Sequence, residues 1–335
     1  MAKILVTGAS GFIGSFITEA AVEKGLETFA GIRSTSSKRY LIDNRINFIE
    51  LDFSDKQKLR EVLSLFKKDN GNFDYIVHCA GVTKCISKND FIEVNYQQTK
   101  DFVDVLIELE MVPKQFLYIS TLSVFGPIHE KSYQPIAEDD IKKPNTAYGL
   151  SKLKSERYLE SLVDFPFVIF RPTGVYGPRE SDYFLMVKSI KGHIDFSVGY
   201  KRQDLTFVYV KDLVEAIFLA IEKKVVRRAY SVTDGEVYSS RAFSDLIQKE
   251  LGIPFVLHIK SPLIILKVIS LCAEFISGIL GKSSTLNSDK YKIMKQRNWR
   301  CDITPTIEEL GYEPKYKLEK GVEEAVDWYK KEKWI

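Results

Sequence analysis

Lys3-Ile4-Leu5-Val6-Thr7-Gly8-Ala9-Ser10-Gly11-Phe12-Ile13-Gly14 carries an aliphatic run straight into three glycines spaced three apart and then into a helical pattern. A strand ending in such a turn is a recurrent way to hold a dinucleotide pyrophosphate. Gly8 permits the sharp exit from the strand, Gly11 removes a side chain where phosphate must approach the backbone, and Gly14 lets the helix pack closely. Thr7 closes the strand, and the unpaired amides of the first helical turn, at Phe12 and Ile13, face the anion with the positive end of the helix dipole.

Outward from that turn, apolar runs near residues 3–7, 27–32, 46–51, 73–78, 115–120 and 166–171 alternate with helical spacing near 12–24, 55–67, 90–110 and 146–162. Gly25 stands where a helix C-cap is wanted, and Pro113 follows the long helix as a stop. The alternation predicts an α/β chain with a Rossmann-type, doubly wound parallel sheet. The dinucleotide-binding domain is expected over residues 1–175, with a return strand near 228–233. A smaller, partly interleaved C-terminal substrate lobe is expected over 176–335.

Composition narrows the partners. The 335 residues are 45% hydrophobic and carry a net charge of only +3, so a large core is expected and no basic stripe argues for nucleic acid. Cys79, Cys85, Cys272 and Cys301 form no CxxC pair and read as reduced, mostly buried thiols of a cytoplasmic protein. The four histidines share no metal-ligand spacing, so no metal is expected. The first residues are strand-like, which argues against a secretory leader. The apolar stretch 262–280 is interrupted by Lys267 and Glu274, each costing about 2–3 kcal/mol in a bilayer centre, so no membrane span is expected. Ile264, Val268, Leu271, Phe275 and Ile279 follow helical spacing and predict one apolar face packed within the substrate lobe; peripheral membrane contact or a protein interface is the lesser alternative.

Tyr148 and Lys152 are four apart, so a helix places them on one face. A free phenol titrates near 10 and is a poor acid or base at neutral pH. A nearby ammonium favours phenolate, so Lys152 is expected to pull Tyr148 down. Thr121, at the end of a strand, offers a hydroxyl to hold a substrate oxygen.

Four stretches together resemble the extended short-chain dehydrogenase/reductases: residues 7–14, Ser120-Thr121-Leu122-Ser123-Val124-Phe125-Gly126, residues 148–152, and residues 171–179 from Arg171 to Arg179. The similarity runs through nearly the whole chain. It includes Phe207-Val208-Tyr209-Val210-Lys211-Asp212, Trp299-Arg300-Cys301-Asp302 and Leu310-Gly311-Tyr312. The resemblance implies an enzyme in which Tyr148 is the proton donor and acceptor, Lys152 its activator and a cofactor contact, and Thr121 the hydroxyl of the triad. It places Asn95 in the active-site scaffold, Asp52 and Phe53 at the adenine, Ala80 and Gly81 at the ribose, and Pro172 and Val175 at the nicotinamide. Thr83, Lys84, Ser123, Tyr148 and Gly174 are the implied substrate side. Members of the family dimerise through two helices, here those near 90–110 and 146–162, and a homodimer is expected.

Cofactor choice is read at the end of the second strand, where an acid would bind the ribose of NAD. This chain has Arg33 there, followed by Ser34, Thr35, Lys38 and Arg39, so NADP(H) is favoured, with NAD(H) possible. Leu122 and Ser123 stand where sugar-nucleotide dehydratases carry Asp-Glu, so the elimination machinery is missing. Leu205 replaces the arginine with which UDP-sugar 4-epimerases grip the diphosphate, although Arg202 lies nearby. The pattern is closest to the dihydroflavonol-reductase and 3β-hydroxysteroid-dehydrogenase-like branch. The expected reaction is hydride transfer between a nicotinamide and a secondary alcohol/ketone whose substrate has a sizeable apolar part. The alternatives are a nucleotide-sugar 4-epimerase and a non-catalytic NADPH-binding sensor.

Overall fold

The computed structural model describes residues 1–279 and 286–335. The first half of the chain supplies β1 (Lys3–Thr7), α1 (Phe12–Glu23), β2 (Glu27–Ile32), β3 (Asn47–Glu50), α2 (Lys56–Asn70), β4 (Tyr75–His78), α3 (Lys88–Phe91), α4 (Gln98–Glu108), β5 (Gln115–Ile119), α5 (Ala147–Ser161) and β6 (Phe167–Pro172). The second half adds β7 (Gly174–Tyr176), α6 (Asp182–Lys191), β8 (Ile194–Val198), β9 (Phe207–Tyr209), α7 (Val210–Glu222), β10 (Arg228–Val232), α8 (Ala242–Leu251) and β11 (Leu257–Ser261). It closes with α9 (Leu263–Ile279), α10 (Ser288–Lys295), α11 (Thr304–Leu310) and α12 (Leu318–Lys331).

Among the described residues, seven strands form one sheet in the order β10-β6-β5-β4-β1-β2-β3. The pairs from β3 across to β6 are parallel, with Thr7 opposite both Gly31 and His78. The strand order reverses between β1 and β4, and in open α/β sheets ligands bind in the crevice beyond the carboxyl ends at that switch. The glycine turn leaves β1 at that place. One face of the sheet buries Leu5, Phe29, Ile76, Phe116 and Ile169 against Leu63 and Phe66 of α2 and Phe102 of α4. Each such side chain contributes roughly 1.5–3 kcal/mol.

The chain divides into two compact units. The first comprises Met1–Val124, Ala147–Arg171 and Val214–Tyr230, and the second Phe125–Thr146, Pro172–Leu213 and Ser231–Ile335. The boundary expected near residue 175 therefore needs correction in two places. Phe125–Thr146 packs with the second unit, where Ile136 pairs with Cys301 and the Gly126 carbonyl accepts from Gln296. The return to the first unit begins well before the expected strand near 228–233: Val214–Tyr230 packs there, and Gln115 of β5 donates to the carbonyls of Ala220 and Val225. The second unit has its own core, built on Tyr176, Phe207, Phe243, Val322 and Tyr329.

Three further expectations are corrected. The helix read over 90–110 is broken: between α3 and α4 the turns widen to π geometry over Ile92–Gln97. The Asn95 carbonyl there accepts hydroxyls from Thr99 and Ser155. The helix in 262–280 forms as α9, but its apolar face is turned outward, with Ile264 65%, Val268 54%, Leu271 49% and Phe275 70% exposed. The Ile279 side chain and Leu280 lie outside the described residues. Cys272, carried on that outward face, is exposed and not a buried thiol.

Candidate active site

Gly8 adopts φ +65, and a Cβ built there would stand 2.9 Å from the Ala80 nitrogen, so the turn after β1 rests directly on the chain leaving β4. Gly14 is also required internally, since its Cβ would meet the Gly8 carbonyl carbon at 2.8 Å. Gly11 is different: its Cβ would approach only the Gly8 oxygen, at 3.2 Å, and the residue is exposed. It is the N-cap of α1 and supplies no capping side chain, so the Phe12 and Ile13 amides begin the helix without one. Two glycines shape the turn and the third leaves its outer side bare, which fits a pyrophosphate against backbone amides.

Behind the turn runs a buried polar chain. Thr7 Oγ1 accepts the Ala80 N–H at 3.2 Å and lies 2.8 Å from His78 Nδ1, and His78 Nε2 lies 3.0 Å from Thr99 Oγ1. Burial pushes the His78 imidazole down to about 3, so it is a neutral connector. Asn95 binds the next loop at both ends: Oδ1 accepts the Val82 N–H at 2.7 Å and Nδ2 donates to the Val82 carbonyl at 3.0 Å. Nδ2 also donates to Ser151 of α5, tying that loop to the helix of Tyr148. Exposed Thr83 and half-buried Lys84 follow this anchored point.

Tyr148 and Lys152 project from α5. Thr121 and the Tyr148 phenol are hydrogen-bonding partners, and Thr121 Oγ1 also accepts the Ser123 N–H at 3.2 Å. Lys152 is 5% exposed; its Nζ donates to the Ile119 carbonyl at 2.8 Å and lies 4.7 Å from the centre of the Tyr118 ring. A Cβ at Gly81 would meet Asn95 Oδ1 at 2.9 Å and Lys152 Nζ at 3.5 Å, so Gly81, Asn95 and Lys152 converge on one spot. Burial raises the phenol to about 12, opposed by the Thr121 hydrogen bond, and lowers the ammonium to about 8, opposed by the carboxylate of Glu156. The expected downward pull of Lys152 on Tyr148 is therefore not what governs the phenol here: desolvation does, and Thr121 is the group that counters it.

At the other end of the crevice, Arg33 is the first residue after β2 and is exposed, its N–H held by Ser36 Oγ at 3.1 Å. The Asp52 carboxylate is held below the usual range by the Ser54 hydroxyl and amide, with Lys58 and Arg33 adding to it. Phe53 packs edge-on to Phe102 at 5.2 Å between ring centres. Pro172, Gly174 and Val175 belong to the second unit, where a Cβ on Gly174 would collide with the Tyr183 hydroxyl. That glycine thus has a packing reason of its own. Arg202 is clamped by Asp204 through contacts of 2.6 and 2.7 Å.

A model of the NAD dependent epimerase/dehydratase family matches residues 4–233. The chain belongs to that family, and its members are enzymes. It is 25% identical to the mouse (Mus musculus) dTDP-D-glucose 4,6-dehydratase, over 98% of this chain and 89% of that one. The crystal structure of the UDP-glucose 4-epimerase of Thermotoga maritima with UDP-glucose is similar with a TM-score of 0.79 at 22% identity, covering 98% of this chain and 99% of that one. The UDP-glucuronic acid 4-epimerase of Bacillus cereus in complex with NAD is similar with a TM-score of 0.73 at 22% identity, again covering 98% and 99%.

Sequence reasoning missed one part of this candidate site. Glu156, fully buried on α5 one turn beyond Lys152, accepts Arg171 at 2.9 and 3.2 Å and the Ser120 hydroxyl at 2.5 Å. Ser120 immediately precedes Thr121, so this buried cluster fastens the segments that carry Thr121 and Lys152 to β6. The only trace of it in the sequence is an acid four residues after Lys152.

Proposed function

We propose that this chain is an NAD(P)-dependent oxidoreductase that interconverts a secondary alcohol and a ketone. The single observation that carries the reading is that Lys152, one turn beyond Tyr148 on α5, has its Nζ fixed to the Ile119 carbonyl at 2.8 Å beside Gly81, in the unit that holds the glycine turn. A bound nicotinamide dinucleotide supplies the hydride or takes it up. The amides after Gly11 would hold its pyrophosphate, Lys152 and the 80–81 loop its ribose, and Asp52 and Phe53 its adenine. Tyr148, protonated at neutral pH, gives its proton to the developing alkoxide in reduction and recovers it in oxidation. Thr121 orients the same oxygen, and the Lys152 charge favours the phenolate form as the proton leaves.

NADP(H) is the preferred dinucleotide in this proposal. No carboxylate ends β2, and Arg33 stands there exposed to pair with a 2′-phosphate. Arg33→Ala is expected to weaken NADPH about ten-fold and leave NADH within about two-fold, since one charge-assisted contact is lost. Equal effects on both would remove Arg33 from cofactor choice. Leu122 and Ser123, buried in the short helical turn after Thr121, bring no carboxylate for elimination, so dehydration is not the reaction proposed. The enzyme is taken to work in the cytoplasm as a homodimer through α4 and α5.

The test is turnover of NADPH with a panel of ketones, sugar-nucleotide ketones included. Tyr148→Phe should lower it about 10²- to 10⁴-fold with dinucleotide affinity unchanged. Unaltered turnover would remove Tyr148 from the chemistry. A second reading, nucleotide-sugar 4-epimerisation, is favoured by what the similar proteins are named for. Arg202 counts against it, because Asp204 already holds the guanidinium that a diphosphate would need. Purified protein carrying a dinucleotide, stabilised by UDP-sugars and showing no net redox, would favour the epimerase.

A further inference from the structure

α9 has its polarity reversed. Toward the protein it turns Leu266, fully buried Ser270, whose hydroxyl bonds the Leu266 carbonyl, and half-buried Glu274, whose carboxylate accepts the Ser288 N–H at the start of α10. Outward it turns Ile264, Ile265, Val268, Ile269, Phe275 and Ile276, all between 49% and 70% exposed. The strands just before it do the same on one face. β8 and β11 pair so that Phe196 stands opposite Ile259 and Ile194 opposite Leu257, and Phe196 and Leu257 are 60% and 51% exposed. Asp195, on the other face, is buried and bonded by His258 and Ser244.

The charges on these elements are sorted as well. Among the described residues of β8, β11, α9 and α10, the carboxylates are Asp195, Glu274 and Asp289, all buried or half-buried and each accepting a partner. Lys260, Lys267 and Lys295 are exposed. An apolar helix face carrying Lys267, with exposed Lys260 and Lys295 on the elements that adjoin it in sequence and by contact and with the acids of these elements turned inward, complements an anionic lipid surface. No helix among the described residues is long and apolar enough to cross a membrane, so the contact is in the plane of the interface.

We propose that α9 docks this protein on an anionic bilayer surface, its aliphatic face entering the headgroup boundary and Lys260, Lys267 and Lys295 meeting the phosphates. The experiment is flotation of the full chain with phosphatidylcholine vesicles, with and without phosphatidylglycerol. Binding is expected only with the anionic lipid and should weaken with salt. The variant Ile264→Ser/Val268→Ser/Phe275→Ser should lose about ten-fold or more in vesicle affinity. All three positions are exposed, so its melting temperature and its NADPH turnover on a soluble ketone should match the parent. Phe275→Trp should show blue-shifted emission on the anionic vesicles. Failure of the parent to float with anionic lipid, or undiminished flotation of the triple variant, would overturn the proposal. So would a change in sedimentation velocity showing that the serines dissolve an oligomer, since α9 would then be a contact between copies.

Discussion

Burial acts in opposite directions on two side chains one helical turn apart, raising Tyr148 and lowering Lys152, and in both it favours the neutral form. For Lys152 the unfolded chain holds its proton up to about 10.4 while the folded chain releases it near 8. Between those values the unfolded state binds more protons, so this group's contribution to stability rises with pH across the window; below about 8 the full penalty of a buried charge is present. The positive charge at neutral pH is thus held against the fold's own preference, and Glu156 is one of the groups that hold it. Glu156→Gln is expected to move the Lys152-dependent limb of kcat/KM downward from about 8. It also strands Arg171, at a cost of about 3–5 kcal/mol. Glu156→Gln/Arg171→Met should recover much of that stability yet keep the shifted limb, whereas a parental profile in both would leave Glu156 a packing role only. Thr121→Ala removes the group that counters desolvation of the phenol, and the limb assigned to Tyr148 should move upward in the pH profile of alcohol oxidation. Thr121, Tyr148 and Lys152 were legible because helical spacing and a strand end fix where they fall. Glu156 and Arg171 were not, because their meeting depends on how α5 lies against β6, which no local pattern records.

The glycine turn separates what the fold needs from what a ligand needs. Gly14→Ala sets a methyl against backbone atoms that cannot give way, and should cost about 2 kcal/mol or more in urea denaturation while abolishing dinucleotide binding. Gly11→Ala meets only one carbonyl oxygen at 3.2 Å; stability should change by less than about 1 kcal/mol, yet dinucleotide affinity should still fall. If Gly11→Ala binds dinucleotide as the parent does, the pyrophosphate does not approach at that place. The strands and most helices were visible in the sequence because each buries a periodic face. The face of α9 was mislaid for the same reason: periodicity reports that an apolar stripe exists, not which way it turns. The π-helical stretch has no local signature either: the Asn95 carbonyl within it accepts the Thr99 hydroxyl and that of Ser155, sixty residues on in α5.

At the scale of the molecule, the alternating pattern makes a parallel sheet legible, but the chain's return paths decide what folds with what. The sequence points to residues 1–175 with a return strand near 228–233, and the compact unit takes back more than that strand, since Val214–Tyr230, with most of α7, belongs to it. Without that return, β6 loses its neighbour β10 and becomes a bare edge, and Gln115 loses the Ala220 and Val225 carbonyls that its buried amide serves. Ala216, Ile217 and Ala220 of α7, all fully buried in the whole chain, are lost with it, together with Tyr230 of β10. A fragment ending at residue 175 is therefore expected to aggregate or to melt without a cooperative transition. A fused chain, in which residues 214–230 follow residue 171 through a short glycine-serine linker in place of the intervening segment, should regain a sigmoidal thermal transition by circular dichroism. A cooperative melt of the 1–175 fragment alone would show that the return strand decorates the sheet and does not complete it.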